Sequence, residues 1–84
     1  MGHARQKPER LAEKLLQIRE ALGLSRKELA ERLSERVEVK ITSLHVSNYE
    51  RGKSVPFIEV VLAYSRLANV TMNQIADDDV DLNL

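Results

Sequence analysis

Helix-start signals recur along this chain and restrict it to a series of short helices. Ser25 with Glu28, and Thr71 with Gln74, have the spacing of capping boxes. In a capping box, two side chains satisfy backbone amides at a helix N-terminus. Thr42 is a third candidate N-cap. Helices are therefore predicted to begin just after residues 25, 42 and 71.

Stop signals and apolar stripes complete five predicted helices. Three residues that tolerate the left-handed conformation end them: Gly23, Gly52 and Asn69. Pro8 and Pro56 are predicted to open the first and fourth helices. Apolar residues recur at helical spacing in between. The predicted core faces are Leu11, Leu15, Ile18 and Leu22, then Leu29, Ala30 and Leu33, then Val46 and Tyr49, then Ile58, Val61, Leu62 and Ser65 with Tyr64 and Leu67 beside them, and finally Ile75. The predicted fold class is all-α, a compact five-helix bundle.

Residues 34–41 allow two interpretations. Val37 continues the helical stripe of the second helix from Leu33. Val37, Val39 and Ile41 also alternate with charged residues, as in a half-buried strand. Periodicity alone does not separate these two structures.

Length and composition exclude several classes of protein. The 84 residues fit one domain, and no cysteine is present for a disulfide or a thiolate metal site. His3 and His45 are too far apart in sequence to suggest a metal site. The chain has no membrane-length apolar run and no signal peptide, so we expect it to be cytoplasmic. No nucleophile–base pair or glycine-rich phosphate loop occurs either, so we expect neither enzymatic activity nor a cofactor.

Charge is distributed unevenly, although the net charge is zero. Thirteen basic and nine acidic side chains lie in residues 1–76, and all four aspartates lie in residues 77–84. The sequence therefore predicts a flexible N-terminal arm at 1–7, a mildly basic domain at 8–76 and an acidic C-terminal tail at 77–84. A basic domain with an acidic tail is compatible with nucleic-acid binding.

Three segments of the chain together resemble a known family. They are LGLSRKELAERL, VSNYERGKSVP and LANVTMNQI, within residues 11–76. The resemblance is to the Cro and phage-repressor (XRE-like) helix-turn-helix regulators. It implies a lambda-repressor-like DNA-binding domain whose third helix, at about 43–51, lies in the major groove. It also implies a transcriptional regulator, such as a repressor, that binds double-stranded DNA sequence-specifically.

The resemblance and helix geometry together assign candidate roles to ten residues. With Val46 and Tyr49 facing inward, the predicted base-contacting residues of the third helix are Ser43, Leu44, Ser47 and Asn48. Asn48 can pair with adenine, and Leu44 can contact a thymine methyl. The predicted phosphate-contacting residues are Ser25, Arg26, His45, Arg51, Lys53 and Ser54. His45 has an alternative role as a capping or surface residue.

The chain departs from the family between its second and third helices. Family members usually join them with about four residues, whereas this chain has about six extra residues within 34–40. This enlarged connection can lengthen the second helix, form a projecting loop or supply a strand.

The tail and the partners leave alternatives open. The segment DVDLNL is either a disordered tail or an extended segment that packs on its own domain or on a second subunit. Pairing with the RVEVKI segment is favoured by opposite charges. The leading functional hypothesis is a homodimer that binds two DNA half-sites, with this tail as the candidate dimer interface. The alternative is a protein-interaction adaptor or antitoxin-like partner on the same scaffold.

Overall fold

A computed structural model describes residues 9–84, in which five α-helices and no strand occur. The helices are α1 (Leu11–Leu22), α2 (Arg26–Ser34), α3 (Ser43–Glu50), α4 (Ile58–Ala68) and α5 (Met72–Ala76). The predicted all-α class and the five helices are confirmed. The predicted arm at 1–7 and the predicted helix start at Pro8 lie outside the described residues.

Helices α1 and α2 follow the predicted pattern closely. Leu11, Leu15 and Ile18 are buried, and Gly23 ends α1 in the left-handed conformation. Ser25 and Glu28 form the predicted capping box, in which the Ser25 amide and hydroxyl lower the pKa of the Glu28 carboxyl. The predicted α2 core residues, Leu29, Ala30 and Leu33, are all buried.

The enlarged connection is an irregular loop. Helix α2 ends at Ser34, and the chain turns through 35–42 without forming a strand. The Ser34 hydroxyl accepts a hydrogen bond from the Ile41 amide at 2.8 Å and donates to the Ile41 carbonyl at 3.0 Å. One side chain thus joins the two ends of the loop, so the extra residues project without separating α2 from α3.

Helix α4 differs from the prediction in its start and its buried face. It begins at Ile58 with Phe57 as N-cap, so Pro56 precedes the helix instead of opening it. Ile58 is 74% exposed, and the core face contains Val60, Val61 and Tyr64. The predicted Val61 and Ser65 are buried and Leu62 is half-buried. The segment IEVVLAYSRLA has apolar residues on most sides of the helix. More than one set of them therefore has the three- and four-residue spacing of a buried helix face.

The C-terminal residues turn back onto α1 after a short α5. Asn69 ends α4 in the left-handed conformation, and Thr71 with Gln74 forms the predicted capping box of α5. Ile75 is fully buried, and Leu82 packs against the core. Backbone carbonyls of residues 74–80 accept hydrogen bonds from Lys14 of α1. The tail therefore packs on its own domain.

Candidate nucleic-acid interface

Helix α3 has one buried face and one outward face. Val46 and Tyr49 are buried, as predicted. On the other face, Ser43 is exposed and Leu44 is 64% exposed. Ser47 and Asn48 are half-buried farther along the helix. The four predicted base-contacting residues therefore lie on one accessible helix surface.

The N-terminus of α3 is capped by its own side chains. The Thr42 hydroxyl accepts from the His45 amide at 3.3 Å, and His45 Nδ1 accepts from the Thr42 amide at 3.0 Å. His45 thus occupies the third position of a capping box, which is the alternative role considered for it. When Nδ1 accepts this bond, the neutral imidazole carries its proton at Nε2. A contact with phosphate would then come from Nε2.

Three of the predicted phosphate-contacting residues follow α3 directly. Arg51, Lys53 and Ser54 are all exposed. The amides of Lys53 and Ser54 both donate to the Asn48 carbonyl, at 2.9 and 3.4 Å. The intervening Gly52 has a φ of 73°, which favours glycine. This tight turn holds the basic side chains beside the C-terminal end of α3.

Ser25 and Arg26 lie at the N-terminus of α2. Ser25 is exposed, and its hydroxyl accepts from the Glu28 amide at 3.0 Å. Arg26 Nε forms an ion pair with Glu50 Oε1 at 3.0 Å. The guanidinium is therefore held toward α3 while its side chain remains 47% exposed.

Glu50 is a buried residue at the end of α3 that the sequence analysis missed. Its side chain is only 1% exposed, and Arg19 Nε lies 2.6 Å from Glu50 Oε2. Hydrogen bonding to Glu50 raises the pKa of the Arg19 guanidinium. Because Arg26 bonds to the same carboxylate, Glu50 connects α1, α2 and the end of α3. A possible signal was its place in the last turn of a helix, where the dipole disfavours an acid.

An apolar groove lies beside α3. Its volume is about 310 Å³, and its lining residues are Val39, Lys40, Ile41, His45, Tyr49, Ser54, Val55 and Phe57. The enlarged connection contributes three of them. Phe57 is 70% exposed, and Val39, Val55 and Ile58 are also exposed. Helix α3 is therefore flanked by an exposed apolar surface, which we call the Phe57 surface (Val39, Val55, Phe57 and Ile58).

Residues 9–84 contain neither a candidate metal site nor a membrane-spanning helix. No group of three acidic, histidine or cysteine side chains there is placed to hold a metal ion. None of the five helices is both long and apolar enough to cross a membrane.

Comparisons with known proteins place this geometry among related folds. A family model described as helix-turn-helix matches residues 15–75. A crystal structure of the P22 c2 repressor protein, in complex with synthetic operator 9T in the presence of Tl⁺, matches with a TM-score of 0.69. That match has 19% sequence identity and covers 82% of this chain and 96% of the repressor chain. No curated protein matches this sequence.

Proposed function

Because the chain belongs to the helix-turn-helix family, we propose that it is a transcriptional regulator that binds double-stranded DNA sequence-specifically. The outward face of α3 is the observation that carries this proposal. This face presents Ser43, Leu44, Ser47 and Asn48 beside exposed basic residues. A helix with such a face fits the major groove, where base edges offer distinct donors, acceptors and methyl groups.

Each residue of this face supports a definite kind of base contact. The Asn48 amide can donate to adenine N7 and accept from N6, a pairing that discriminates by about 1–3 kcal/mol. Leu44 can contact a thymine methyl, and Ser43 and Ser47 can bond to either bases or phosphate. Asn48 is the principal candidate for sequence preference because its pairing is bidentate.

Phosphate contacts would flank the base contacts on both sides. Arg51, Lys53 and Ser54 follow α3, whereas Ser25 and Arg26 lie at the start of α2. His45 is a further candidate through Nε2. Free amides and the helix dipole at the α2 N-terminus favour an anion there. These contacts would supply affinity and register, and they would carry no sequence information.

The solved structure with the same fold supports DNA as the ligand. That P22 c2 repressor structure contains an operator. Shared fold alone does not fix function, so the proposal depends on the α3 surface of this chain.

Sequence selection from a random DNA pool, followed by binding of three variants, tests this function. We expect Arg51→Ala to weaken binding to all sequences and to lower the salt slope by about 1. Asn48→Ala should remove preference at one position at a cost of about 1–3 kcal/mol. Arg66→Ala, an exposed arginine on α4, is the matched control and should bind as the wild type. If the pool yields no preferred sequence and binding does not depend on salt, the proposal is wrong.

We further propose that two copies bind two DNA half-sites. A single recognition helix reads few base pairs, and a dimer doubles the sequence that is read. The tail was the candidate interface, but its polar contacts are made with Glu9, Arg10 and Lys14 of its own chain. The Phe57 surface is better suited, because an exposed aromatic beside an apolar groove can pair with the same feature of a second copy.

Sedimentation of the free protein and of its DNA complex tests this interface. Phe57→Asp should dissociate the dimer or leave only one copy on each DNA site. Leu84→Asp is the control, since Leu84 is an exposed apolar residue in the tail. Dissociation by Leu84→Asp alone would instead assign the interface to the tail.

The Phe57 surface also supports one alternative function, a protein-interaction adaptor or antitoxin-like partner. An exposed apolar surface of this kind is typical of a protein interface. An adaptor would show no salt-dependent DNA binding, and Arg51→Ala would leave its interaction intact. The pool selection above therefore discriminates between the two functions.

A further inference from the structure

Lys14 is a buried charge that the proposed DNA interface does not use. Its side chain is 0% exposed. Its Nζ donates to the carbonyls of Gln74 at 2.8 Å, Asp77 at 2.7 Å and Val80 at 2.5 Å. An ammonium has three donors, and here each has an acceptor. A buried ammonium is tolerated only with such partners, so the position of Lys14 depends on the C-terminal turn.

Asp78 makes the reciprocal contact with the start of α1. Its carboxylate accepts from the Glu9 amide at 2.8 Å and from the Arg10 amide at 3.0 Å. Helix α1 has no capping side chain of its own, since Arg10 occupies its N-cap position. The tail therefore supplies the acidic cap that favours a helix N-terminus.

Two further contacts join the same segments. Arg10 donates from Nη1 to the Asp78 carbonyl at 2.9 Å, and its Nη2 lies 2.8 Å from Asp81 Oδ1. Leu82 is half-buried against the core just beyond. Residues 78 and 81 are thus fixed by Glu9 and Arg10, just before α1, through side-chain and backbone groups together.

We propose that residues 77–82 form a clasp on α1, with Lys14 and Asp78 as its positioning residues, and that the clasp opens and closes as a unit. If the tail leaves, Lys14 loses all three acceptors and α1 loses its cap. Both sets of hydrogen bonds require the same position of the tail, which makes the opening cooperative. Any molecule that captures the acidic tail must therefore uncap α1, and this links the state of the tail to the stability of the domain.

Amide exchange in the free, full-length chain tests the clasp directly, using Asp78→Ala. We expect the exchange of the Glu9 and Arg10 amides to rise about fivefold to tenfold when their acceptor is removed. The melting temperature should fall by about 4–8 °C. Asp79→Ala is the matched control, because it removes the same charge from an adjacent exposed residue. It should leave both quantities unchanged.

The ammonium resonance of Lys14 provides the second measurement, since Lys14→Met could fail to fold. A buried, fully bonded ammonium exchanges its protons slowly, so its resonance should be observable in the wild type. In Asp78→Ala this resonance should broaden, because the clasp opens as a unit. An unchanged Lys14 resonance in that variant overturns the coupling. Equal effects of Asp78→Ala and Asp79→Ala overturn the clasp itself, and neither result depends on DNA binding.

Discussion

At the scale of single residues, Tyr64 shows how packing outweighs polarity in this core. Its side chain is fully buried, and its hydroxyl has no hydrogen-bond partner within residues 9–84. Burial, with a smaller contribution from the charge of Glu50, raises the pKa of Tyr64 well above its ordinary value. A buried hydroxyl without a partner destabilises the folded state, whereas burial and packing of the aromatic ring stabilise it.

We therefore predict that Tyr64→Phe leaves the free energy of unfolding unchanged or raises it by up to about 1 kcal/mol. Tyr64→Ala, which removes the ring, should lower it by about 3–5 kcal/mol. Urea unfolding of both variants measures the two effects. A large loss for Tyr64→Phe would mean that the hydroxyl has a stabilising partner.

Glu50 is also buried, but unlike the Tyr64 hydroxyl, both of its carboxylate oxygens accept hydrogen bonds from arginine side chains. We predict that Glu50→Gln lowers the free energy of unfolding by about 1–3 kcal/mol, since Arg19 loses its ionic partner in a partly buried place. It should also weaken DNA binding, because α3 loses its ionic link to α1 and α2. Chemical unfolding and a DNA titration measure these effects. The control Glu31→Gln, on the exposed side of α2, should change neither quantity.

At the scale of elements, helix starts were predictable where a cap is local. Helices α2, α3 and α5 begin with side chains that bond within three residues, and their N-caps were identified. Helices α1 and α4 have no side-chain cap from their own N-cap residue. The prediction for α4 was wrong by two residues because Pro56 only permits a helix start, and no local bond fixes one there.

The connection between α2 and α3 is closed by Ser34, which gives a testable prediction at the scale of elements. Ser34→Ala leaves the amide and carbonyl of the buried Ile41 without their partner. We expect a loss of about 1–2 kcal/mol in unfolding free energy and faster exchange of the Ile41 amide. Ser34→Thr keeps the hydroxyl and should restore most of the stability. Equal stability of Ala and Thr variants would show that the hydroxyl does not close the loop.

At the scale of the whole molecule, acidic side chains of the tail bond to residues at the start of α1. The amides of Arg10 and Glu9 hold the pKa of the Asp78 carboxyl below its ordinary value of 3.8. The charges of Lys14 and Arg10 act in the same direction. Because the folded state disfavours protonation of Asp78, the unfolded state binds more protons as the pH falls.

The stability that Asp78 contributes is therefore present above about pH 4 and lost as the pH falls through its lowered folded pKa. We predict that the difference in unfolding free energy between the wild type and Asp78→Asn shrinks as the pH falls from 5 toward 2. Urea unfolding across this range measures it. Asp79→Asn, which changes a residue outside these contacts, should follow the wild type at every pH. A difference that stays constant with pH would contradict an ionic role for Asp78.

The sequence by itself determined what depends on neighbours along the chain. The caps at Ser25, Thr42 and Thr71 and the left-handed stop at Gly23 follow from bonds that span a few residues. The inward positions of Val46 and Tyr49 follow from helical periodicity, which also indicates the outward face of α3. The family resemblance draws on the same local motifs, so it too is present in the sequence itself.

Only the tertiary structure decided which distant groups meet. Asp78 and Lys14 bond to residues sixty or more positions away, and Glu50 joins arginines of two other helices. The spacing of residues along the sequence does not predict such contacts, because they depend on how the helices pack against each other. The same reason explains the exposed Ile58, since an all-round apolar helix takes its buried face from its neighbours. The helices are thus local properties of this chain, whereas its clasp, its buried carboxylate and its Phe57 surface are properties of the packed molecule.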